Sequence, residues 1–474
     1  MREFGSIVGG RQLSGERWIE IRNPYTGEIV GRVASADRAA TVAALSQAHH
    51  ARIYLSRHER HELLQRMAAR LENEAAEVGR LITDESGLCL RDTKYEVERA
   101  SDVLRFAAIQ SLLDDSEVFP CDVSRVGRPR RIYTMREPLQ LIACITPFNH
   151  PLNQVVHKIA PAIATDNKAI LKPSQLTPLS AYRFIQMALE CGMPPGMVTV
   201  LSGPTPEVAE AIVGSPLVDM ITFTGGTETG KRIAQSAGYK RLVLEMGGSS
   251  AMLVLADADP VQAVEIAIAG IFKNSGQRCT AIRRLLVHTS LVREFANLLA
   301  ERTSQLKVGD PYDAATDVGT VISEKAAIEI QKRVQQSVDQ GAKVLVGHRR
   351  EGAVYAPTVL TDVRNHYAVA SCETFGPVAP ILSFDTLDEA IEIANDSEFG
   401  LSGAVVSNHW PSIQRVISEL RTGTVNVNEV PGFRLEWSPF GGVKSSGLGY
   451  KEGVIEAMKS MTYVKTYSLP WERP

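Results

Sequence analysis

Cysteine is sparse: six residues in 474 (Cys89, Cys121, Cys144, Cys191, Cys279 and Cys372), widely scattered and without a CxxC pair. That scatter excludes a disulfide scaffold and a structural zinc site, and predicts a reducing compartment with no metal centre. No segment reaches the roughly 18 uninterrupted apolar residues of a membrane span. The N-terminus, MREFGSIVGGRQLSGE, is polar and lacks the apolar core of a secretory signal, so the expected location is the cytoplasm. An excess of one charge is also missing: 51 basic residues stand against 54 acidic ones, a net −3. This balance gives no overall footprint for nucleic acid or a membrane surface. Short-period repeats and low-complexity linkers are absent too, which excludes disorder, collagen and coiled coil.

What is present is an ordinary globular composition, 44% hydrophobic and 22% charged, in a chain long enough for about three structural units. Glycine-punctuated segments and the turn Asn23-Pro24-Tyr25-Thr26-Gly27 open it. From Ala36 to about Leu113, apolar residues recur at helical spacing, predicting a helical layer. From Leu139 the period changes. LQLIACI (139–145), KAILK (168–172), MVTVL (197–201) and DMITF (219–223) are strand-length apolar runs separated by helix-length segments, the pattern of an open parallel sheet. A second alternating series follows from Ser250, including RRLLVH (283–288), AKVLVG (342–347), VAPILSF (378–384) and GAVVSN (403–408). The boundary between the two falls near Met246–Ser250.

Five places carry chemistry. FTGGTETG (223–230) follows a strand and opens a helix, so its amides could hold a phosphate; the plain alternative is a strand-to-helix turn. Lys172-Pro173-Ser174 adds a cation and a hydroxyl at the same carboxyl edge. In GQRCT (276–280), Cys279 sits beside Arg278 and a glycine turn, which would lower the thiol pKa and make a nucleophile; a lone cysteine is otherwise inert packing. Glu245, at a strand end before two glycines, could be a desolvated general base or a surface carboxylate. Asn149, just past LIACI, could donate to an oxyanion or simply open a helix.

The order and spacing of seven motifs over most of the chain resemble the NAD(P)-dependent aldehyde dehydrogenase superfamily. They are PFN (147–149), LKPS (171–174), FTGGTETG, LEMGG (244–248), GQRCT, ETFGP (373–377) and PFGGVKSSGLG (439–449). The resemblance implies an α/β fold with two open parallel-sheet, Rossmann-like domains and a small β bridging and oligomerisation domain. The implied divisions are 1–118 with 135–247 for the dinucleotide, 248–445 for catalysis, and 119–134 with 446–474 for the bridge. It implies Cys279 as nucleophile, Glu245 as base and Asn149 as oxyanion donor. Dinucleotide contacts are implied for Thr146, Pro147, Phe148, Lys172, Ser174, Gln175, Gly203, Phe223, Thr224, Gly225, Gly226, Thr229, Glu245, Met246, Gly247, Glu373 and Phe375. NAD is the expected cofactor, and Gln175, where many members carry a ribose-binding glutamate, leaves NADP open. The edge strands Arg128–Tyr133 and Ser460–Tyr467 predict a homodimer or homotetramer.

The substrate is read from basic residues where most members place apolar groups: Arg99, Arg105, His150, Arg278 and Arg434, with Thr280 beside the nucleophile. Guanidiniums near the thiol suit a small anionic aldehyde, and His150 could titrate with it near neutral pH. Similar sets occur in phosphonoacetaldehyde dehydrogenases and in non-phosphorylating glyceraldehyde-3-phosphate dehydrogenases. The histidine after Asn149 favours the former, with lactaldehyde and succinic semialdehyde as further alternatives. Outside the class stands a catalytically silent scaffold of the same fold.

Overall fold

The computed structural model describes residues 1–113, 115–450 and 452–471. The helical region resolves into four helices, Arg38–His50, Arg57–Asn73, Ala75–Ser86 and Leu90–Ser111. The second starts from a capping box, in which the Ser56 hydroxyl and the Glu59 carboxyl satisfy each other's backbone amides. The third stops at Gly87, whose φ of 70° places it in the left-handed region.

The predicted strands assemble as a seven-stranded sheet in the order Arg241–Glu245, Met220–Thr224, Leu141–Ile145, Lys168–Lys172, Val198–Val200, Ser6–Val8, Arg11–Leu13. The first five are parallel, and the two N-terminal strands are added antiparallel at one edge. The inner strands are buried on both faces, which is why they read as continuous apolar runs rather than alternating ones. A second seven-stranded sheet runs Lys343–Val346, Thr358–Thr361, Val378–Phe384, Ile282–His288, Ser250–Val254, Ser402–Val406, Thr424–Val427. It is parallel except at Lys343–Val346, which pairs antiparallel at the edge. This is the α/β fold with two open parallel sheets that the sequence pattern predicts. The chain passes from one sheet to the other through Met246–Ser249, so the end of one sheet and the start of the next lie on either side of two glycines.

A small antiparallel sheet joins Thr462–Pro470, Arg130–Pro138 and Val118–Pro120. Its central strand runs past the expected boundary at 134. The tail from 446 also divides, because Val454 and Met461, at the two ends of the helix Val454–Ser460, join the core beneath the first sheet. Only Thr462 onward belongs to the small sheet. Among the described residues, no helix is long and apolar enough to cross a membrane.

Candidate active site

The loop that carries Cys279 is built by an unusual backbone. After the helix Pro260–Ile271, Asn274, Ser275 and Gly276 are all left-handed, with φ of 57°, 52° and 72°. Three such residues in succession are costly and persist only where the surroundings impose them. Here the Asn274 amide donates to Asp92 Oδ2 at 2.8 Å, and Gln277 Oε1 accepts from the Ile322 amide at 2.8 Å. Buried Arg283 donates to the carbonyls of Gly276 and Gly376, the latter at 2.7 Å. A Cβ at Gly276 would lie 2.3 Å from the Gly376 carbonyl, so only glycine lets this loop approach the 373–377 segment.

That loop delivers Cys279 to Glu245. The thiol donates to Glu245 Oε1 at 3.1 Å, joining the second sheet's domain to the last strand of the first. Asn149 completes the group: its amide donates to the Gln277 carbonyl at 2.9 Å and has a second N–H to give. The expectation that Arg278 lowers the thiol pKa is corrected. Burial and the facing Glu245 carboxylate push the Cys279 thiol well above its ordinary value. The Arg278 guanidinium turns instead to the carbonyls of Ala269 and Gly270, both at 3.0 Å, near the helix C-terminus. The thiol is thus held protonated with a carboxyl in contact.

Behind Glu245 lies a chain of groups that the motif reading missed. Glu245 faces buried Glu452, and each carboxyl acts on the other's ionisation. Glu452 Oε1 in turn receives Lys158 Nζ at 2.7 Å, and that ammonium also donates to the hydroxyls of Thr222 (3.0 Å) and Thr224 (2.8 Å). The second oxygens of both carboxyls are buried without partners. Burial, then the Glu452 charge, push Glu245 up to about 7. Burial opposes ionisation of Glu452, but the Lys158 ammonium outweighs it and holds that carboxyl down at about 2. Thr224 was expected to face the dinucleotide, yet its hydroxyl belongs to this chain. The one sequence signal was a lysine inside the apolar helix Asn153–Ala164.

The basic residues divide. Arg99 and His157 both meet Glu436, His157 Nε2 at 2.5 Å, and burial of that carboxyl is outweighed so that it stays well below its ordinary range. Arg434 stands 3.9 Å from Glu436 and lies over the Phe440 ring at 4.0 Å, while its Nη1 is buried without a partner. Its charge acts on both Cys279 and Glu245. Thr280 is buried beside the same loop, since a Cβ at Gly432 would lie 2.2 Å from its hydroxyl. Arg105 is not brought in: it pairs with Glu72 at 2.5 Å, half-exposed. His150 sits between Glu96, 3.5 Å away, and the Asn274 amide at 3.2 Å. Burial lowers its pKa despite Glu96, so the expected titration near neutral pH is corrected: the ring is neutral there.

At the carboxyl edge of the first sheet, the arrangement fits an anionic dinucleotide. Lys172 is buried with the Pro173 carbonyl at 3.4 Å as its recorded partner, and burial pushes it down to about 8, the mark of a cation short of an anion. Gly226 caps the helix Thr227–Ser236 without a side chain, and the Thr227 hydroxyl is buried and unpartnered. Phe223 packs under Gly225, Met246 under Gly230, and Thr229 is exposed on the same first turn. Gln175 donates to the Gly203 carbonyl, and Ser174 Oγ accepts from the Leu176 amide at 3.2 Å. Thr146, its hydroxyl unpartnered, leads through Pro147 to Phe148, which meets Phe375 edge to face at 5.7 Å. Glu373, raised by burial, accepts from the Gly248 amide at 3.1 Å, and a Cβ at Gly247 would strike its carboxyl.

Two open sheets with a thiol and a carboxyl meeting at their junction define a class, and comparison with known proteins gives it a name. The aldehyde dehydrogenase family model matches residues 11–467. The chain is 34% identical over 463 residues to 3-sulfolactaldehyde dehydrogenase of Priestia aryabhattai, covering 98% of this chain and 97% of that one. Among solved structures, it resembles glyceraldehyde-3-phosphate dehydrogenase of Methanocaldococcus jannaschii complexed with NADP, with TM-score 0.92 and 33% identity over 96% of this chain and all of that one. It also resembles betaine aldehyde dehydrogenase of Staphylococcus aureus in complex with NAD+, with TM-score 0.94 and 30% identity, covering 99% and 95%. The chain belongs to the aldehyde dehydrogenase family.

Proposed function

We propose that the protein oxidises a small anionic aldehyde to its carboxylic acid, phosphonoacetaldehyde to phosphonoacetate being the leading reading, with NAD, or NADP in its place, as acceptor. The observation that carries the anion is Arg434: a guanidinium whose buried Nη1, with its two N–H groups, has no partner, acting on the Cys279–Glu245 pair. An Arg donor in that state is ready for an oxyanion of phosphonate, sulfonate or carboxylate type. A second reading, a singly charged aldehyde, is favoured by Glu436, which already occupies Arg99 and His157 and moderates the positive charge. The sulfonate-bearing substrate in the name of the Priestia relative supports it too.

In the mechanism, Glu245 takes the Cys279 proton across the 3.1 Å contact as the sulfur attacks the aldehyde carbon. Asn149 Nδ2 and the Cys279 amide hold the oxyanion of the hemithioacetal. Lys172, the Thr227–Ser236 helix N-terminus and Glu373 would hold the dinucleotide, which would supply the hydride acceptor for the oxidation to the thioester level. Once Glu245 has passed the Cys279 proton to solvent, it deprotonates the water that releases the acid, and Glu452, kept ionised by Lys158, keeps that base strong. Neutral Gln175 does not repel a 2′-phosphate, which supports use of either dinucleotide.

The test is kcat/KM for phosphonoacetaldehyde, glyceraldehyde-3-phosphate, succinic semialdehyde, lactaldehyde and propanal, in the parent and in Arg434→Ala. We expect the parent to prefer phosphonoacetaldehyde, and Arg434→Ala to lose about tenfold to a hundredfold on anionic aldehydes, the scale of one charged hydrogen bond. Equal rates with propanal, or an unaffected anion preference in the variant, would sink the anionic reading.

The small sheet supports a homodimer or homotetramer. It exposes Phe119, Ile132, Met135, Val464 and Leu469 along strands whose outer edges are open to pairing. Sedimentation at micromolar concentration should give a dimer or larger, and a monomer would contradict the proposal.

A further inference from the structure

A cavity of about 560 Å³ lies outside the groups described so far, between the helices Leu90–Ser111, Pro260–Ile271 and Val292–Ser304. Arg91, Lys94, Tyr95, Lys273, Arg302 and Asp317 are among its walls. Two of these cations have partners: Arg91 pairs with Asp317 at 2.8 Å and Arg302 with Glu265 at 2.6 Å. Lys273 differs. Its ammonium lies 3.4 Å from the centroid of the Tyr95 ring, and among the described residues no carboxylate comes within ion-pair distance of it. The neighbouring acid, Asp92, gives its Oδ2 to the Asn274 amide. Burial pushes Lys273 down to about 8, with Asp92 opposing and Arg278, Arg99 and Arg91 adding to the fall. Such a charge, half-stripped of water and resting on an aromatic face, favours an arriving anion.

Helix geometry links this cavity to the catalytic group. Residues four apart on a helix lie nearly in line, about 6 Å along the axis. On Leu90–Ser111, therefore, Arg91, Tyr95 and Arg99 form one row, with Arg91 and Tyr95 exposed and Arg99 half-buried, and buried Asp92 and Glu96 form the row beside it. The buried row anchors the catalytic loops, Asp92 through Asn274 and Glu96 through the amides of Leu152 and Asn153, each at 2.9 Å. The outer row leads from the cavity to the anion group: Arg99 lies 5.9 Å from the ring that Lys273 covers, and it meets Glu436 beside Arg434. Lys273 also opens the turn Lys273–Gly276, three residues before Cys279.

We propose that this cavity is the entry vestibule for the anionic aldehyde, and that Lys273, seated on Tyr95, is the specificity-determining residue that first takes the anionic end before Arg99 and Arg434 receive it. The proposal rests on the anionic-aldehyde reading. Its role is capture rather than chemistry, so it acts on KM and on the salt dependence of kcat/KM, with kcat held.

Lys273→Met keeps the stem on the ring and removes the charge, and Lys273→Arg keeps the charge. The full-length enzyme is assayed with the anionic aldehyde of the panel that it uses best and with propanal, at about 0.02 and 0.3 M salt, where screening lengths differ several-fold. In Lys273→Met, the ratio of anionic to neutral kcat/KM should fall about tenfold through KM, and its salt dependence should weaken. Lys273→Arg should restore most of the ratio. A ratio and salt dependence unchanged in Lys273→Met would overturn the vestibule; if that variant does not fold, Lys273→Gln is judged by the same criterion. Arg434→Ala, run alongside, separates the failures. Should it collapse the ratio while Lys273→Met does not, only the vestibule falls; should neither variant move it, the anionic reading falls as well.

Discussion

Glu245→Gln is expected to lower kcat by about 10²–10⁴-fold, the range for a positioned general base. The amide keeps an oxygen for the Cys279 thiol but cannot accept its proton or that of the hydrolytic water. Two reaction stages therefore lose one base, and the thioester, once formed, should accumulate. The pH dependence separates this from a packing defect. Because burial and Glu452 push Glu245 up to about 7, the parent should lose rate as pH falls below about 7, where the base becomes protonated. The variant lacks that group and should show no such acid limb. Stopped-flow dinucleotide reduction combined with steady-state profiles from pH 5 to 9 reads both. A variant within threefold of the parent, or one that retains the acid limb, would remove Glu245 from the base role.

Lys158→Met should produce the largest loss of stability. The ammonium and Glu452 are both buried, with side chains 1% and 6% exposed at 2.7 Å. Removing one member of such a pair strands the other, at a cost of about 3–5 kcal/mol. Here the stranded carboxylate also faces Glu245, so two acids remain with no cation in contact. Glu452 is held down at about 2, below its ordinary value of 4.5. The stability this supplies is complete above about pH 4.5 and disappears as pH falls toward 2. The difference between parent and variant should therefore be full at pH 7, on the order of 5 °C in thermal midpoint for a chain of this length, and smaller at pH 4. Scanning calorimetry at both values checks it. A midpoint at pH 7 within about 2 °C of the parent, or a gap that widens in acid, would show that the pair does not carry this energy.

Much of the fold was legible because strands buried on both faces need continuous apolar runs, and LIACI, KAILK and DMITF each became one. The three groups at the junction were legible as motif residues. Arg105 was open to correction from the sequence itself: six residues at 100° each turn it 240° from Arg99, so one pocket cannot take both. Glu436, Glu452, His157 and Lys158 were harder. Two polar residues inside an apolar helix announce that partners exist, but those partners lie 279 and 294 residues away, and no local pattern names them.

The sequence by itself determined the class: strand and helix periods, a glycine-flanked thiol, and a carboxylate and an amide at strand ends, all of which depend on near neighbours. Only the tertiary structure decided which charges are free. Arg278, Arg99 and Arg434 look alike in the chain, yet one gives its Nη2 to a helix end, one meets Glu436 and one keeps its whole Nη1 unpartnered. The reason is physical. The state of a buried charge depends on its partners and its desolvation, and both are settled only when distant segments close around it.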